Sequence, residues 1–228
     1  MRCQILRFTL PPTDTISVGI FDDVREAVAR AGALSQYFGY SVSMRRAVPK
    51  PRHEITWIIQ WPREVAWDTP LRDSLRELVD GTVTDVTVEM NGSNHDDLVS
   101  GLDAPVCEVV VLRFKPGTPV LDDTILESVH KSYTDCFDML GFVGGDWGFA
   151  TNTTLVEGET AAPAATTVVC LPPKDRLLSV FLLGWESIEL HEDATKTALF
   201  AEELGKLGPH VDSSSGAWYE VDMYLFSP

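Results

Sequence analysis

The sequence predicts an α+β protein made of two tandem units, each with the element order β-α-β-β-α-β. Three observations lead to this prediction: a repeated strand, an amphipathic helix after each copy, and a later strand that ends in tryptophan in each half. The 228 residues are enough for two small domains. A content of 44% hydrophobic and 23% charged residues is an ordinary balance for a globular protein.

The first strand of each half carries the clearest repeat. The segment "CQILRFTLPPTD" near the start resembles "CEVVVLRFKPGT" further on, and Leu6-Arg7-Phe8 recurs as Leu112-Arg113-Phe114. Both segments are dominated by apolar residues and end at prolines, which is typical of strands. We therefore expect the two halves to begin with equivalent strands.

An amphipathic helix follows each of these strands. Apolar residues recur at three- and four-residue steps between positions 21 and 38 in the first half, and between positions 126 and 140 in the second. Pairs of aspartates near both helix starts suit the helix dipole. Gly39 and Gly141 are predicted to end the two helices.

The later elements of the two halves also match. The strands "EITWIIQW" and "LLSVFLLGW" end at Trp61 and Trp185, and each leads to a second helix and then to a last strand, "TVTDVTVEM" or "AWYEVDMYLF". The second strands are predicted at residues 40–48 and 145–151, and Ser187 is predicted to cap the second helix of the second half. This order is that of a ferredoxin-like unit, an antiparallel sheet with helices on one face and the other face left to be covered.

The boundary between the units is predicted in the polar, glycine-containing segment "NGSNHDDLVSGLDAP". We place the N-terminal half at residues 1–94 and the C-terminal half at residues 104–228. Residues 152–174, "NTTLVEGETAAPAATTVVCLPPK", break the symmetry because the first half has no insertion of this length. Such long loops serve as lids or are disordered excursions, and both alternatives stay open.

Composition and charge argue against several classes of function. The net charge is −16 and Lys and Arg are not clustered, so neither a nucleic acid nor an anionic membrane is an expected partner. No apolar run reaches the roughly 18 residues that indicate a membrane-spanning helix. The start of the chain does not resemble a signal peptide, and we expect a cytoplasmic location.

Sequence motifs for metals and cofactors are also missing. The four cysteines lie far apart with no C-x-x-C pair, which argues against a metal site and a disulfide framework. The glycines of "GFVGGDWG" precede no predicted helix, so they do not form a phosphate-binding loop. There is no G-x-S-x-G elbow and no H-E-x-x-H motif. We therefore predict neither a cofactor nor a metal.

Candidate catalytic residues lie in the second half. His130 and Tyr133 share the helix face that should point at the sheet, where the histidine could act as a base and the tyrosine could orient an oxygen. The alternative is that both pack in the core with their polar atoms bonded to backbone. Asp146 and Trp147 lie in "GGDWGF", whose glycines suggest either an unusual backbone near a cavity or a bulged strand with Trp147 in the core.

Aromatic residues on the predicted strands are candidate walls of a cavity for a small hydrophobic substrate. The residues predicted to bind substrate are Trp61, Trp147, Trp185 and Tyr219. Ordinary core packing is the alternative for each of them.

The segment "GWESIELH", which follows an apolar strand and precedes a helix, resembles the dimeric α+β barrel superfamily, as does the strand "VVLRFKPGT". The nearest resemblance is to antibiotic-biosynthesis monooxygenase-like proteins, particularly their fungal members. It covers roughly residues 106–226 and reaches the first half only through the repeat. The resemblance implies that the antiparallel sheets of two tandem ferredoxin-like units close an intrachain dimeric α+β barrel.

His191 ends this motif, one turn inside the predicted helix. It is a candidate base at the rim of a pocket, or else a packing residue bonded to a strand carbonyl at the strand-to-helix corner. Small residues on its predicted helix face leave room for close packing or for a ligand. They are Ala194, Ala198 and Ala201. In the repeat, Trp67 takes the position of His191, so any chemistry of this histidine is expected in the second half alone.

The resemblance implies a range of activities that includes cofactor-free oxygenation and cyclisation of aromatic polyketides, lactone isomerisation and haem handling. We expect a cofactor-independent enzyme of fungal secondary metabolism that binds a small hydrophobic polyketide- or terpenoid-like intermediate. It would catalyse cyclisation or isomerisation by proton transfer, with His130 or His191 as the base and Tyr133 as the donor. A cofactor-free monooxygenase and a non-catalytic binding or assembly protein are the alternatives. Exposed helix faces also leave pairing into a homodimer open.

Overall fold

The computed structural model describes residues 1–9, 18–42, 54–62, 73–75, 79, 83–92, 95–155 and 170–223. The described part of the first half contains the strands β1 (Arg2–Thr9), β2 (Ser35–Val42), β3 (Glu54–Trp61) and β4 (Thr84–Met90). That of the second half contains β5 (Val106–Phe114), β6 (Phe142–Ala150), β7 (Leu178–Trp185) and β8 (Val211–Met223). The strands close one barrel in the order β1-β3-β2-β8-β5-β7-β6-β4, and neighbouring strands run antiparallel. The predicted intrachain α+β barrel of two tandem ferredoxin-like units is therefore confirmed.

Each half contributes four adjacent strands to the barrel. The first half supplies β4-β1-β3-β2 and the second half supplies β8-β5-β7-β6. Two seams join the halves, one between β2 and β8 and the other between β4 and β6. The matching strand orders explain why the sequence repeat extends from the first strand to the last.

Side chains alternate between the inside and the outside of the barrel, as the two-residue period of a strand requires. On β5, Cys107 and Val109 belong to the inner core, whereas Leu112 and Phe114 pack outside it. A separate outer core lies under the helices of each half. The apolar strands are thus buried on both faces.

The first helix, α1 (Val18–Arg30), ends earlier than the sequence predicts. Gly32 has a φ of 99° and follows the last turn, so it ends the helix in place of Gly39, which lies in β2. Phe38 continues the apolar spacing because its ring packs 5.4 Å from that of Phe21, although it lies on a strand. The predicted second strand begins at residue 35 instead of 40, and residues 43–48 lie outside the described part of the chain.

The helix of the second half, α3 (Asp123–Thr134), agrees better with the prediction. The Asp122 side chain caps its start by accepting a hydrogen bond from the Thr124 N–H at 3.0 Å. A 3-10 turn (Asp135–Asp138) follows, and Gly141, with a φ of 85°, leads into β6. This strand begins at residue 142, three residues before the predicted start.

The helix after β7 is divided in two. Ser187 caps α4 (Ile188–Ala194) as predicted, and Thr197 caps a separate helix, α5 (Ala198–Leu207). Thr197 interrupts the helix because its hydroxyl bonds the Ala194 carbonyl and the Phe200 N–H. Ala198 and Ala201 are therefore not on the helix of His191, and the predicted shared face is wrong beyond Ala194.

The segment predicted as a polar boundary contains a helix, α2 (His95–Leu102). Leu98 and Leu102 join the inner core, so α2 must cover one end of the barrel. Glycines bring its backbone against the sheet: a Cβ atom at Gly101 would lie 2.6 Å from the carbonyl oxygen of Gly144 on β6. The boundaries at residues 94 and 104 stay a prediction.

Other predictions fall on residues outside the described part. They concern most of the second helix of the first half, including Trp67, and residues 156–169 and 224–228. Of the helices that are described, none combines the length and the apolar character needed to cross a membrane.

Candidate functional site

The structure places the predicted site residues at four different locations. His130, Tyr133 and Trp147 lie between α3 and the outer face of the barrel. Trp185 and His191 lie together beside α4. Asp146 and Tyr219 face the barrel interior, and Trp61 lies in the outer core of the first half. They therefore do not form one common site.

His130 is hydrogen-bonded to Trp147, whose Nε1 donates to His130 Nδ1 at 3.1 Å. A neutral His130 therefore carries its proton on Nε2, and the indole occupies its lone pair. Trp147 itself is buried and stacks against Phe181 with ring centroids 6.3 Å apart. This geometry makes His130 a hydrogen-bond donor toward any ligand and does not favour it as a base.

Tyr133 is buried, and its hydroxyl donates to the carbonyl oxygen of Gly145 at 2.9 Å. Burial, together with the nearby carboxylates of Asp97 and Asp146, raises the pKa of Tyr133 above its ordinary value. The hydroxyl of Tyr133 is thus hydrogen-bonded within the protein, as expected if Tyr133 packs in the core with its polar atom bonded to backbone. A catalytic role for Tyr133 stays a prediction.

Asp146 faces the barrel interior and is bonded to backbone through both carboxylate oxygens. Oδ1 accepts from the N–H of Trp147 at 2.8 Å, and Oδ2 accepts from the N–H of Gly92 at 3.2 Å. Burial raises the pKa of Asp146, and these two N–H donors oppose that effect. The side chain therefore connects β6 to the turn after β4, and a catalytic role for Asp146 stays a prediction.

The glycines of "GGDWGF" permit close backbone contacts. A Cβ atom at Gly144 would lie 2.5 Å from the carbonyl oxygen of Asp97 on α2, and one at Gly145 would collide with β7. The register also shifts between Phe142 and Gly144, and Trp147 is buried. The alternative of a bulged strand with Trp147 in the core therefore describes this segment.

Tyr219 belongs to a polar cluster inside the barrel. Its hydroxyl donates to Glu54 Oε1 at 3.3 Å, and the guanidinium carbon of Arg7 lies 5.5 Å from its ring centroid. A small cavity lies beside this cluster, with Arg7 in its wall. The volume in which the centre of a water molecule can lie is about 20 Å³. Its walls are Ile5, Arg7, Thr84, Val86, Val109, Val111, Leu155 and Val180. This cavity holds about one water molecule and is too small for an aromatic substrate.

Trp61 is a core residue in the described structure. Its ring is buried in the outer core of the first half, and its Nε1 donates to Gln4 Oε1 at 3.2 Å. Both the apolar and the polar part of this side chain are therefore satisfied by packing within the chain.

A buried histidine–glutamate pair is the strongest candidate for chemistry. His191 Nε2 lies 3.1 Å from Glu108 Oε2, and each side chain is 8% exposed. Because an ionised carboxylate can only accept a hydrogen bond, a neutral His191 that donates to Glu108 through Nε2 has its lone pair on Nδ1. A carboxylate that fixes the tautomer in this way orients an imidazole to act as a base. His191 thus lies at ion-pair distance from a carboxylate that the sequence motif did not indicate.

The elements around this pair fix its geometry. Glu108 is on the outer face of β5, where its register partners are Leu183 on β7 and Trp218 on β8. His191 reaches the pair because the Ser187 cap starts α4 directly after β7. The sequence analysis did not predict Glu108, although a lone carboxylate within the apolar run "VCEVVVL" was a usable signal.

Trp185 adds a hydrogen-bond donor beside the pair. Its ring meets that of His191 edge-to-face, with centroids 5.0 Å apart. Trp185 is buried, and its Nε1–H finds no acceptor among the described residues. A buried N–H without an acceptor costs about 1–3 kcal/mol, a cost that a water molecule or a ligand oxygen would remove.

Comparison with known proteins supports the fold. No family model and no curated protein sequence matches the chain. Among solved structures, a candidate monooxygenase from Fusobacterium nucleatum matches with a TM-score of 0.60 and 10% identity, over 97% of this chain and 93% of that one. A candidate monooxygenase from Lactobacillus acidophilus matches with a TM-score of 0.58 and 12% identity, over 97% and 94% of the two chains.

An anthrone oxidase-like protein also matches over most of its length. Its TM-score is 0.60 at 12% identity, and the match covers 98% of this chain and 92% of that chain. At such identities the likeness shows a shared fold. It agrees with the α+β barrel of two ferredoxin-like units and leaves the activity to be argued from the site.

Proposed function

We propose that the protein is a cofactor-independent enzyme that begins its reaction by taking a proton from a small hydrophobic aromatic substrate. The observation that carries the proposal is the buried contact of 3.1 Å between His191 Nε2 and Glu108 Oε2. It supplies a base, and a group that orients the base, within one site.

The proton transfer follows from this arrangement. Nδ1 of His191 takes the proton, and the resulting imidazolium is stabilised by the carboxylate of Glu108. The electron pair left on the substrate is delocalised onto a substrate oxygen. The Nε1–H of Trp185, which has no acceptor among the described residues, is suited to donate a hydrogen bond to that oxygen.

The surrounding residues favour an aromatic substrate. Phe142 lies 5.2 Å from Trp185 and 5.0 Å from Phe137, measured between ring centroids. Phe137 is half exposed, and the neighbouring Leu140 is 80% exposed. A chain of edge-to-face ring contacts therefore runs from the exposed Phe137 to the buried Trp185, and contacts of this kind suit planar rings.

Two reactions can follow the proton transfer. The anion can cyclise or isomerise without gaining oxygen, or it can react with dioxygen. In the second case an activated methylene group and O₂ give a carbonyl group and one molecule of water. The reaction with dioxygen is the second candidate function. It is favoured by the names of two structural matches, a candidate monooxygenase and an anthrone oxidase-like protein.

The experiment is incubation of the purified protein with anthrone, 2-hydroxyanthrone and a linear β-polyketone under ¹⁸O₂, followed by mass spectrometry of the products. We expect at least one probe to be converted faster than in buffer. One ¹⁸O atom in an anthraquinone product assigns the oxygenase reaction, and a product without added oxygen assigns cyclisation or isomerisation. Binding of the probes without any conversion contradicts the proposal and favours a binding protein.

A further inference from the structure

We propose that Gly216 determines substrate specificity by opening a path to Glu108 Oε1, which accepts a hydrogen bond from a hydroxyl group of the substrate. This inference rests on the proposed function, because it concerns the substrate of the same His191–Glu108 pair. It adds a recognition element on β8 that lies apart from the reacting atoms.

Gly216 is an exposed glycine inside a strand. Its φ is not among the positive values of the described glycines, so the backbone conformation there does not require glycine. Packing against the described residues does not require it either, since among them a Cβ atom would meet only Glu108 Oε1, at 3.8 Å, within a radius of 4 Å. A glycine in a strand that neither conformation nor packing explains often marks the close approach of a ligand.

Glu108 presents an oxygen toward this opening. The residue is 6% exposed, and its Oε2 lies 3.1 Å from His191 Nε2. No hydrogen-bond donor to Oε1 is found in the part of the chain that the structure describes. Oε1 is not among the buried side-chain atoms without a partner, so it is open to an incoming group although the residue is largely buried. A carboxylate oxygen accepts strongly from a hydroxyl group, and the charge roughly doubles the strength of such a bond.

The surface around the opening suits a flat ring. Ser214, two residues away on the outer face of β8, is exposed like Gly216, so none of the described helices covers this part of the strand. Val110, the register partner of Gly216 on β5, is half-buried. A planar ring can therefore lie on Gly216 and Val110 with a hydroxyl group directed at Glu108.

The test compares the binding of two probes under nitrogen, where oxygenation cannot occur. The probes are 2-hydroxyanthrone, which carries a hydroxyl group, and anthrone, which lacks it. We expect the parent protein to bind 2-hydroxyanthrone about 10- to 100-fold more tightly by calorimetry, the range for a hydrogen bond to a charged group. Gly216→Val places a side chain in front of Oε1 and should remove this preference.

Ser214→Val is the matched control, because it places the same valine side chain on the same exposed face of β8 two residues away. We expect it to leave both dissociation constants unchanged. Valine suits a strand, so both variants should keep the melting temperature of the parent protein. Equal affinity of the parent for the two probes, no binding of either probe, or a preference retained in Gly216→Val overturns the inference.

The same samples separate this inference from the proposed function. A parent protein that prefers 2-hydroxyanthrone but converts neither probe in air supports the recognition role of Gly216 and contradicts the proton-transfer reaction. A parent protein that converts both probes in air and binds them equally supports the reaction and overturns the inference.

Discussion

His191→Gln is expected to lower the rate of probe conversion by a factor of about 10² to 10⁴, the range for the loss of a general base. The glutamine amide can still donate a hydrogen bond toward Glu108, so the buried carboxylate keeps a partner. It has no nitrogen that takes up a proton near neutral pH. The measurement is the initial rate of anthrone and 2-hydroxyanthrone conversion, with circular dichroism to show that the variant is folded.

Three further variants make this result specific. Glu108→Gln should also lower the rate, because it removes the charge that stabilises the protonated His191. His95→Ala is the matched control, since His95 is an exposed histidine on α2. His130→Ala tells the two candidate bases apart. If His130→Ala abolishes conversion while His191→Gln retains it, the base is His130 and His191 has only a structural role.

Gly184→Ala is expected to lower the free energy of unfolding by about 2–4 kcal/mol, in line with overpacking of a tight core. A Cβ atom at residue 184 would lie 2.5 Å from the Cα of Gly101 and 2.8 Å from the Cβ of Ala104. These are backbone atoms or a Cβ atom, which no side-chain rotation can move away. Helix α2 would have to move away from β7, which would withdraw Leu98 and Leu102 from the inner core.

Denaturant unfolding of the parent and the variant measures this loss, provided that both transitions have the same slope. Gly205→Ala is the control substitution, because Gly205 lies on α5 and its Cβ position has no atom of another described element within 4 Å. It should stabilise the protein by up to about 1 kcal/mol, since alanine favours a helix more than glycine does. An unchanged midpoint for Gly184→Ala would show that α2 does not pack on β7 as described.

The architecture could be predicted because the sequence pattern of one unit occurs twice in the chain. The repeat of Leu6-Arg7-Phe8 and the strands ending at Trp61 and Trp185 indicated two equivalent units, and the barrel joins them at two seams. The errors have local causes. Phe38 lies on β2 but packs against Phe21 of α1. Its spacing from the apolar residues of α1 therefore predicted a longer helix than the structure has.

Two other elements were hidden from sequence patterns. Helix α2 shows only two buried leucines, Leu98 and Leu102, in a polar segment, and its docking depends on glycines of distant strands. The break before α5 depends on Thr197. Its hydroxyl reaches the Ala194 carbonyl and the Phe200 N–H only after the chain has formed the turn between α4 and α5. Both features arise from contacts that form in the folded chain.

The candidate site was predictable only in part. The motif that ends in His191 identified this residue and Trp185 as neighbours of interest, and the structure brings their rings together. Glu108 was missed because it comes from another strand, at a distance along the chain that no local pattern spans. The bonds of His130 to Trp147 and of Tyr133 to Gly145 likewise depend on how α3 packs against β6.

The proton transfer itself can be measured without the later steps. Anthrone in D₂O under nitrogen exchanges its methylene hydrogens for deuterium each time a proton is removed and returned, and nuclear magnetic resonance follows the loss of their signal. We expect the parent protein to accelerate this exchange above the buffer rate and His191→Gln to leave it at the buffer rate. Exchange at the buffer rate with the parent protein, or equal acceleration by His191→Gln, would contradict the assignment of His191 as the base.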